Sequence, residues 1–242
     1  MISFIIPAYN EERLLGPTLS AVKAAAQATG EPHEIIVVDD GSTDRTSVVA
    51  AENGARVVAV AHRQIAATRN SGAREAQGDV FVFVDADTLV NPNVVRAAVQ
   101  AVRDGAIGGG CDLRFDGRLP AWARLMVWSF RPVYRAGRLA SGSFLFCTRR
   151  AFEAAGGFDE GLFAAEEAAM SKALRRQGRF VVLRETVVTS GRKLRAYSAW
   201  EVFRVLTRLA LLGRKGLGNR QGLEIWYGTR REDPEEQKKI GR

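Results

Sequence analysis

The chain has 242 residues, 46% hydrophobic and 26% charged, and a formal net charge of +8. A chain of this length buries roughly 70–75% of its unfolded surface, which excludes dependence on a disulfide framework. Its two cysteines, Cys111 and Cys147, have neither zinc nor redox spacing and suit a reducing compartment. The cationic excess fits either an anionic partner or a generic basic surface.

The opening MISFIIPAYNEE has no basic start and too short an apolar run for a signal peptide, and no long uncharged apolar stretch follows. A cytoplasmic protein without a membrane span is therefore expected. Ile2 to Ile6 reads as a buried strand closed by Pro7, and a helix is predicted from about Glu11 to Ala28. Glu34 to Val38 is a second strand, ending in the turn-and-cap stretch Asp39-Asp40-Gly41-Ser42-Thr43-Asp44, with a helix over Thr46 to Asn53. Val57 to Val60 and Asp79 to Val84 are further strands, separated by a helix from Ile65 to Gln77 and followed by one from Pro92 to Arg103. This β-α alternation predicts an α/β fold with a mostly parallel central sheet and helices on both faces.

After Gly108-Gly109-Gly110 the pattern loosens into a basic, aromatic stretch before a strand over Ser141 to Thr148. A helix from Glu166 to Gln177, a strand from Phe180 to Leu183, a helix from Ser198 to Gly213 and a polar tail complete the chain. The expected division is a binding half over 1–110, a second half of the same domain over 111–195, and a C-terminal helix and tail over 196–242.

In open α/β sheets ligands bind beyond the carboxyl ends of the strands, where both acidic clusters fall. Asp85 and Asp87 lie two apart at a strand's end, so their side chains leave on the same side. Paired carboxylates call for a cation, and a hard ion such as Mg²⁺ or Mn²⁺ is typically shared with substrate phosphates. The bland reading is a pair of helix caps. Asp39 and Asp40 serve either as caps or as acceptors for the donors of a base or ribose. Arg69 suits a diphosphate, since guanidinium matches phosphate oxygens in bidentate fashion, or is a solvated helix charge. Glu166 and Glu167 either complement a helix dipole or supply a general base.

The segments FIIPAYNEE, VVDDGSTDRT, ATRNSGAREAQGDVFVFVDADT, ASGSFLFCTRRAFEAAGGFDE and EEAAMSKALRRQG occur in that order. Together they closely resemble the family 2 glycosyltransferases, from Ile2 to about Arg195. The resemblance implies the GT-A fold of nucleotide-diphospho-sugar transferases. It further implies that Pro7, Ala8, Tyr9 and Glu11 line the nucleotide pocket, that Asp39 reads the base, and that Asp85-Ala86-Asp87 is the Asp-x-Asp motif. Asp85 would hold the ribose and metal shell, and Asp87 the ion. Counting back from LRRQG places the family's base, usually an aspartate, at Glu167. The family's frequent histidine ligand is missing from TVVTSGRK, where Arg192 and Lys193 could contact the diphosphate instead.

The implied activity is metal-assisted transfer, with inversion, from a UDP- or GDP-sugar to an acceptor hydroxyl. For the acceptor, the informative stretch is Arg114 to Arg138, with six arginines against Asp116 and with Trp122, Met126, Trp128, Phe130 and Tyr134 interleaved. Such a segment suits a lipid-phosphate acceptor and peripheral contact with the inner face of a membrane, although core packing explains it too. A nucleotidyltransferase would carry a Gly-rich loop where PAYNEE stands, and a nicotinamide dehydrogenase Gly-x-Gly-x-x-Gly. A nucleic-acid binder would not need acids at two strand ends. A degenerate transferase that binds a donor without turnover is the remaining alternative.

Overall fold

A computed structural model describes residues 1–228 together with Arg231, Asp233 and Pro234. Residues 229, 230, 232 and 235–242 of the expected polar tail lie outside these described residues, whereas its first part forms two short helices. The first half follows the predicted alternation: β1 (Ile2–Ala8), α1 (Leu15–Gln27), β2 (His33–Asp40), α2 (Thr46–Glu52), β3 (Arg56–Val60), α3 (Ile65–Glu75) and β4 (Val80–Val84). Then come β5 (Thr88–Leu89), α4 (Pro92–Arg103), β6 (Gly108–Phe115), α5 (Ala121–Ala136), β7 (Phe144–Thr148), α6 (Arg149–Ala154) and α7 (Glu166–Arg175). The rest is β8 (Phe180–Thr189), α8 (Arg192–Ala196), α9 (Ala199–Leu212), α10 (Arg214–Leu217) and α11 (Glu224–Tyr227).

All eight strands join one sheet in the order β3-β2-β1-β4-β7-β6-β8-β5. β1 pairs in parallel with β2 on one side and β4 on the other, so the chain direction switches across β1 and β4. A crevice opens at the carboxyl ends of strands around such a switch. β7 runs antiparallel between β4 and β6, and β6 crosses the expected junction at residue 110. Alternation along the strands splits the core between the two faces of the sheet. Phe4, Ile6, Val82 and Val84 pack with α1 and α4 on one face, while Ile5, Phe81 and Phe83 pack with α3, α6 and α7 on the other.

The short elements β5, α6, α8, α10 and α11 have no counterpart among the expected elements, and three larger differences stand out. The glycine triplet opens strand β6, because a Cβ on Gly109 would lie 2.4 Å from the Val181 carbonyl and 2.6 Å from the Phe146 ring. Strand β8 runs to Thr189 instead of stopping near Leu183, a register shift at Cys111/Asp112 letting the polar residues Arg184 and Glu185 pass. The basic, aromatic stretch contains helix α5, whose Pro132 and scattered charges obscured its period. Core packing does not explain that helix, because only Ala123 of it is buried. No helix among the described residues is long and apolar enough to cross a membrane.

Candidate active site

The loops after β1, β2 and β4 border a cleft of about 730 Å³, closed on the far side by the start of α7 and by α8. Local capping builds these loops. The Asn10 carboxamide accepts from Thr43 N–H at 2.7 Å, Glu11 N–H donates to the Thr46 hydroxyl at 2.7 Å, and Glu12 accepts from Arg45 N–H at 3.0 Å. The acids of PAYNEE thus help brace the β1 loop against α2. Asn10, Arg63 and Ala165 all line the cleft and all have positive φ, a conformation non-glycine residues adopt at a cost.

The aspartates after β2 divide their work. Asp39 is buried, its carboxylate accepting from Ser42 N–H at 3.0 Å and from the Ser47 hydroxyl, and it does not line the cleft. Asp40 does line it, but accepts from Arg63 N–H (2.7 Å), Gln64 N–H (3.1 Å) and the Thr68 hydroxyl (2.8 Å), capping α3 from a neighbouring strand. Pro7, Ala8, Tyr9 and Glu11 all face the cleft, and the Arg63 guanidinium lies 3.4 Å from the centre of the Tyr9 ring. Nothing in AHRQIAATRN marks Arg63 as part of the site, because its position depends on the turn that Asp40 holds.

Asp85, Ala86 and Asp87 leave the tip of β4 along one wall of the cleft. Ala86 is buried and its carbonyl accepts from the Thr18 hydroxyl at 3.0 Å, which pins the turn and leaves both carboxylates on the cleft side. Asp85 accepts from Arg69 Nη2 at 2.8 Å, and Asp87 from Arg192 Nη2 at 3.1 Å. Burial lifts the Asp87 carboxyl to about 6; Arg192 pulls it down, while Glu11 and Asp85 push it further up.

Arg69 is fully buried, not a solvated helix charge. Its Nη1 donates to Glu166 Oε1 at 2.8 Å, and its Nη2 also reaches the Gly142 carbonyl at 3.2 Å. Burial opposes its charge, but Asp85, Glu166 and Glu167 outweigh that and raise its pKa. A Cβ at Gly142 would lie 2.8 Å from Arg69 Nη2, so any larger residue there would displace the guanidinium. Glu166 is therefore a buried ion-pair partner, whereas Glu167 is half-buried on the cleft wall. Burial and the adjacent Glu166 push the Glu167 carboxyl well above the usual range, with Arg69 opposing.

No three His, Cys, Asp or Glu side chains among the described residues form a complete metal cluster. The hard oxygens of Asp85 and Asp87 nevertheless fit Mg²⁺ or Mn²⁺. Such ions take one or two carboxylates and fill their remaining positions with phosphate oxygens and water. The raised Asp87 carboxyl is the mark of a carboxylate that a cation would stabilise.

Comparison with known proteins assigns the family and the fold. A dolichol-phosphate mannosyltransferase of Pyrococcus furiosus is 34% identical over 147 residues, covering 58% of this chain and 40% of its own. An undecaprenyl-phosphate 4-deoxy-4-formamido-L-arabinose transferase of Pseudomonas paraeruginosa is 34% identical over 152 residues, covering 59% and 43%. The chain thus spans about two-fifths of the length of these curated relatives. The mannosyltransferase PcManGT of Pyrobaculum calidifontis, solved with GDP-Man and Mn²⁺, superposes with a TM-score of 0.67 at 21% identity over 88% of this chain and 62% of that one. Glucosyl-3-phosphoglycerate synthase of Mycobacterium tuberculosis, solved with Mn²⁺, UDP and glucosyl-3-phosphoglycerate, gives 0.60 at 20% identity over 91% and 81%. These two structures share the GT-A-type α/β fold with this chain. Residues 3–152, more than half of the sequence and including both acidic strand tips, match Glycosyl transferase family 2, and the chain belongs to that family.

Proposed function

We propose that the protein moves a sugar, with inversion, from a nucleoside diphosphate donor to a hydroxyl or phosphate oxygen of a lipid-linked acceptor. The observation that carries this reading is the shared cleft: Asp85 and Asp87 at the tip of β4 on one wall, and Glu167 at the start of α7 on another. Pro7, Ala8, Tyr9 and Glu11 would seat the nucleotide, with Arg63 beside Tyr9 adding positive charge toward phosphate. Asp87, with Asp85 behind it, would hold a divalent ion, which supplies charge stabilisation for the departing diphosphate. Glu167, in its ionised form, which burial and its neighbour Glu166 make more basic, would take the proton of an acceptor hydroxyl as it attacks the anomeric carbon. An acceptor phosphate, already ionised, would need no such base.

The acceptor reading rests on the rim of the cleft. Met126 and Val127 of α5 and Val202, Val205 and Leu206 of α9 line it. On the outer faces Leu125, Trp128, Phe130, Trp200, Phe203 and Leu211 are exposed, beside the exposed Arg124, Arg131, Arg204 and Arg208. Aromatic and cationic side chains so placed suit an anionic bilayer surface. The two curated relatives carry polyprenyl-phosphate substrates in their names, which agrees with that rim.

Glu167→Gln tests the assignment. Transfer to a hydroxyl acceptor is expected to fall by about 10²–10⁴-fold, while calorimetry with the UDP- or GDP-sugar and Mn²⁺ shows binding within a few-fold of wild type. Loss of donor binding along with turnover would show that Glu167 supports the fold of the site and is not its base.

A further inference from the structure

The side chain best placed to control the metal position is Arg192, the first residue of α8. Its Nη1 donates to Glu11 Oε2 at 2.9 Å, and its Nη2 to Glu11 Oε1 at 2.5 Å and to Asp87 Oδ2 at 3.1 Å. One guanidinium thus bridges the loop after β1 and the tip of β4, and both carboxylates are largely withdrawn from water. Asp85, the other acid of this wall, is held by Arg69.

We propose that Arg192 is a resident cation of the donor site: it occupies the Asp87 oxygen in the donor-free protein and moves onto the donor's diphosphate when a divalent ion enters. The proposal rests on the reading of Asp87 as the ion's ligand. A guanidinium and a divalent ion cannot share one carboxylate oxygen without strong mutual repulsion. One must yield, and Arg192 has somewhere to go, because a diphosphate offers the paired oxygens that a guanidinium grips in bidentate fashion.

The backbone beneath Arg192 is held by contacts that do not involve its guanidinium. Ser190 N–H donates to the Asp87 carbonyl at 3.1 Å, Gly191 N–H to Asp116 Oδ1 at 2.7 Å, and Arg195 is paired with Asp116 and Asp233. The side chain can therefore swing while α8 stays in place. The consequence is coupled binding. The ion alone must displace a bound cation, whereas the ion arriving with a diphosphate gives that cation a new partner. Ion and nucleotide should raise each other's affinity reciprocally.

The test uses the full chain with MnCl₂, UDP and GDP, in wild type, Arg192→Gln, Arg192→Lys and Asp87→Asn, read by calorimetry and thermal unfolding. Wild type is expected to bind Mn²⁺ weakly alone and on the order of tenfold more tightly with saturating UDP or GDP, a typical coupling between sites. Arg192→Gln should bind Mn²⁺ alone on the order of tenfold more tightly than wild type, with the nucleotide enhancement reduced to match. Arg192→Lys, which keeps the charge, should stay closer to wild type. In EDTA the Gln variant should melt below wild type, its two carboxylates having lost the cation they share, and MnCl₂ should close that gap. Mn²⁺ affinity of Arg192→Gln equal to or below wild type, or a melting deficit that Mn²⁺ leaves untouched, would overturn the proposal. Nucleotide-enhanced Mn²⁺ binding that Asp87→Asn abolishes supports the metal reading whatever Arg192 does; no Mn²⁺ binding in any protein, even with nucleotide, overturns both.

Discussion

Arg69, held between Asp85 and Glu166 with 2% of its side chain exposed, ties the tip of β4 to the start of α7, the two walls that carry the acidic machinery. Its removal would leave two acids facing each other in a poorly solvated region. Breaking a buried pair in this way costs about 3–5 kcal/mol. Arg69→Gln is therefore expected to lower unfolding free energy by about that amount in urea titration, and a loss under about 1 kcal/mol, typical of a solvent-exposed pair, would show that water reaches the pair. Arg69→Lys should recover only part, because an ammonium cannot fork to Asp85 and Glu166 at once. The sequence singled out Arg69 but left its partner open between phosphate and solvent. Its partners Gly142 and Glu166 lie 73 and 97 residues away, and no local pattern encodes that meeting. Asp85 and Asp87 stood out for the opposite reason: the strand end before them is a local signal, although the turn pinned by Thr18 on the Ala86 carbonyl, and not the strand period, sets where they point.

Between residue and molecule, β1 to β4 were legible because each is a short apolar run closed by turn chemistry. The elements missed were those whose sequence contradicts their structure. β6 starts with three glycines, poor strand formers that close packing against Phe146 and Ala140 demands. α5 carries aromatics, arginines and an internal Pro132, and only Ala123 of it is buried, so its apolar residues do not point to a core. α9 was legible, with a Ser198–Glu201 capping box at its start, yet it leaves Trp200 and Phe203 stacked 5.9 Å apart and exposed. Two helices that leave aromatics and arginines in water on the rim of one cleft have a common explanation in a lipid surface. Co-sedimentation with vesicles containing phosphatidylglycerol should be strong at low salt and fall steeply toward 1 M salt, where the Debye length shrinks to about 3 Å. Replacing Trp200 and Phe203 by serine should weaken it at every salt concentration, since that removes apolar insertion and no charge. Equal binding to neutral vesicles, or none at low salt, would end this reading.

At the scale of the whole molecule, a chain of net charge +8 gathers Glu11, Asp85, Asp87, Glu166 and Glu167 around one cleft. Such an arrangement stores electrostatic cost in the donor-free protein, and the cost depends on pH. Burial raises the carboxyls of Asp87 and Glu167 above their unfolded values. A group whose folded pKa is raised gives its full stabilisation below the unfolded value and loses it as pH rises through the folded one. The contribution of both groups should therefore be present near pH 4, an ordinary carboxyl value, and decline through about 6 for Asp87 and still higher for Glu167. Glu167→Gln removes the later part of that decline. It is expected to melt close to wild type in acid and a few degrees above it at alkaline pH, each kcal/mol being worth about 2–4 °C in a protein of this size. The substitution expected to slow transfer to a hydroxyl would thus stabilise the fold, as expected when a residue is kept for chemistry at the expense of stability. Melting curves of the two proteins across pH, without nucleotide or metal, decide it. Parallel curves would mean that the Glu167 carboxylate is fully solvated and has the pKa of an ordinary surface glutamate.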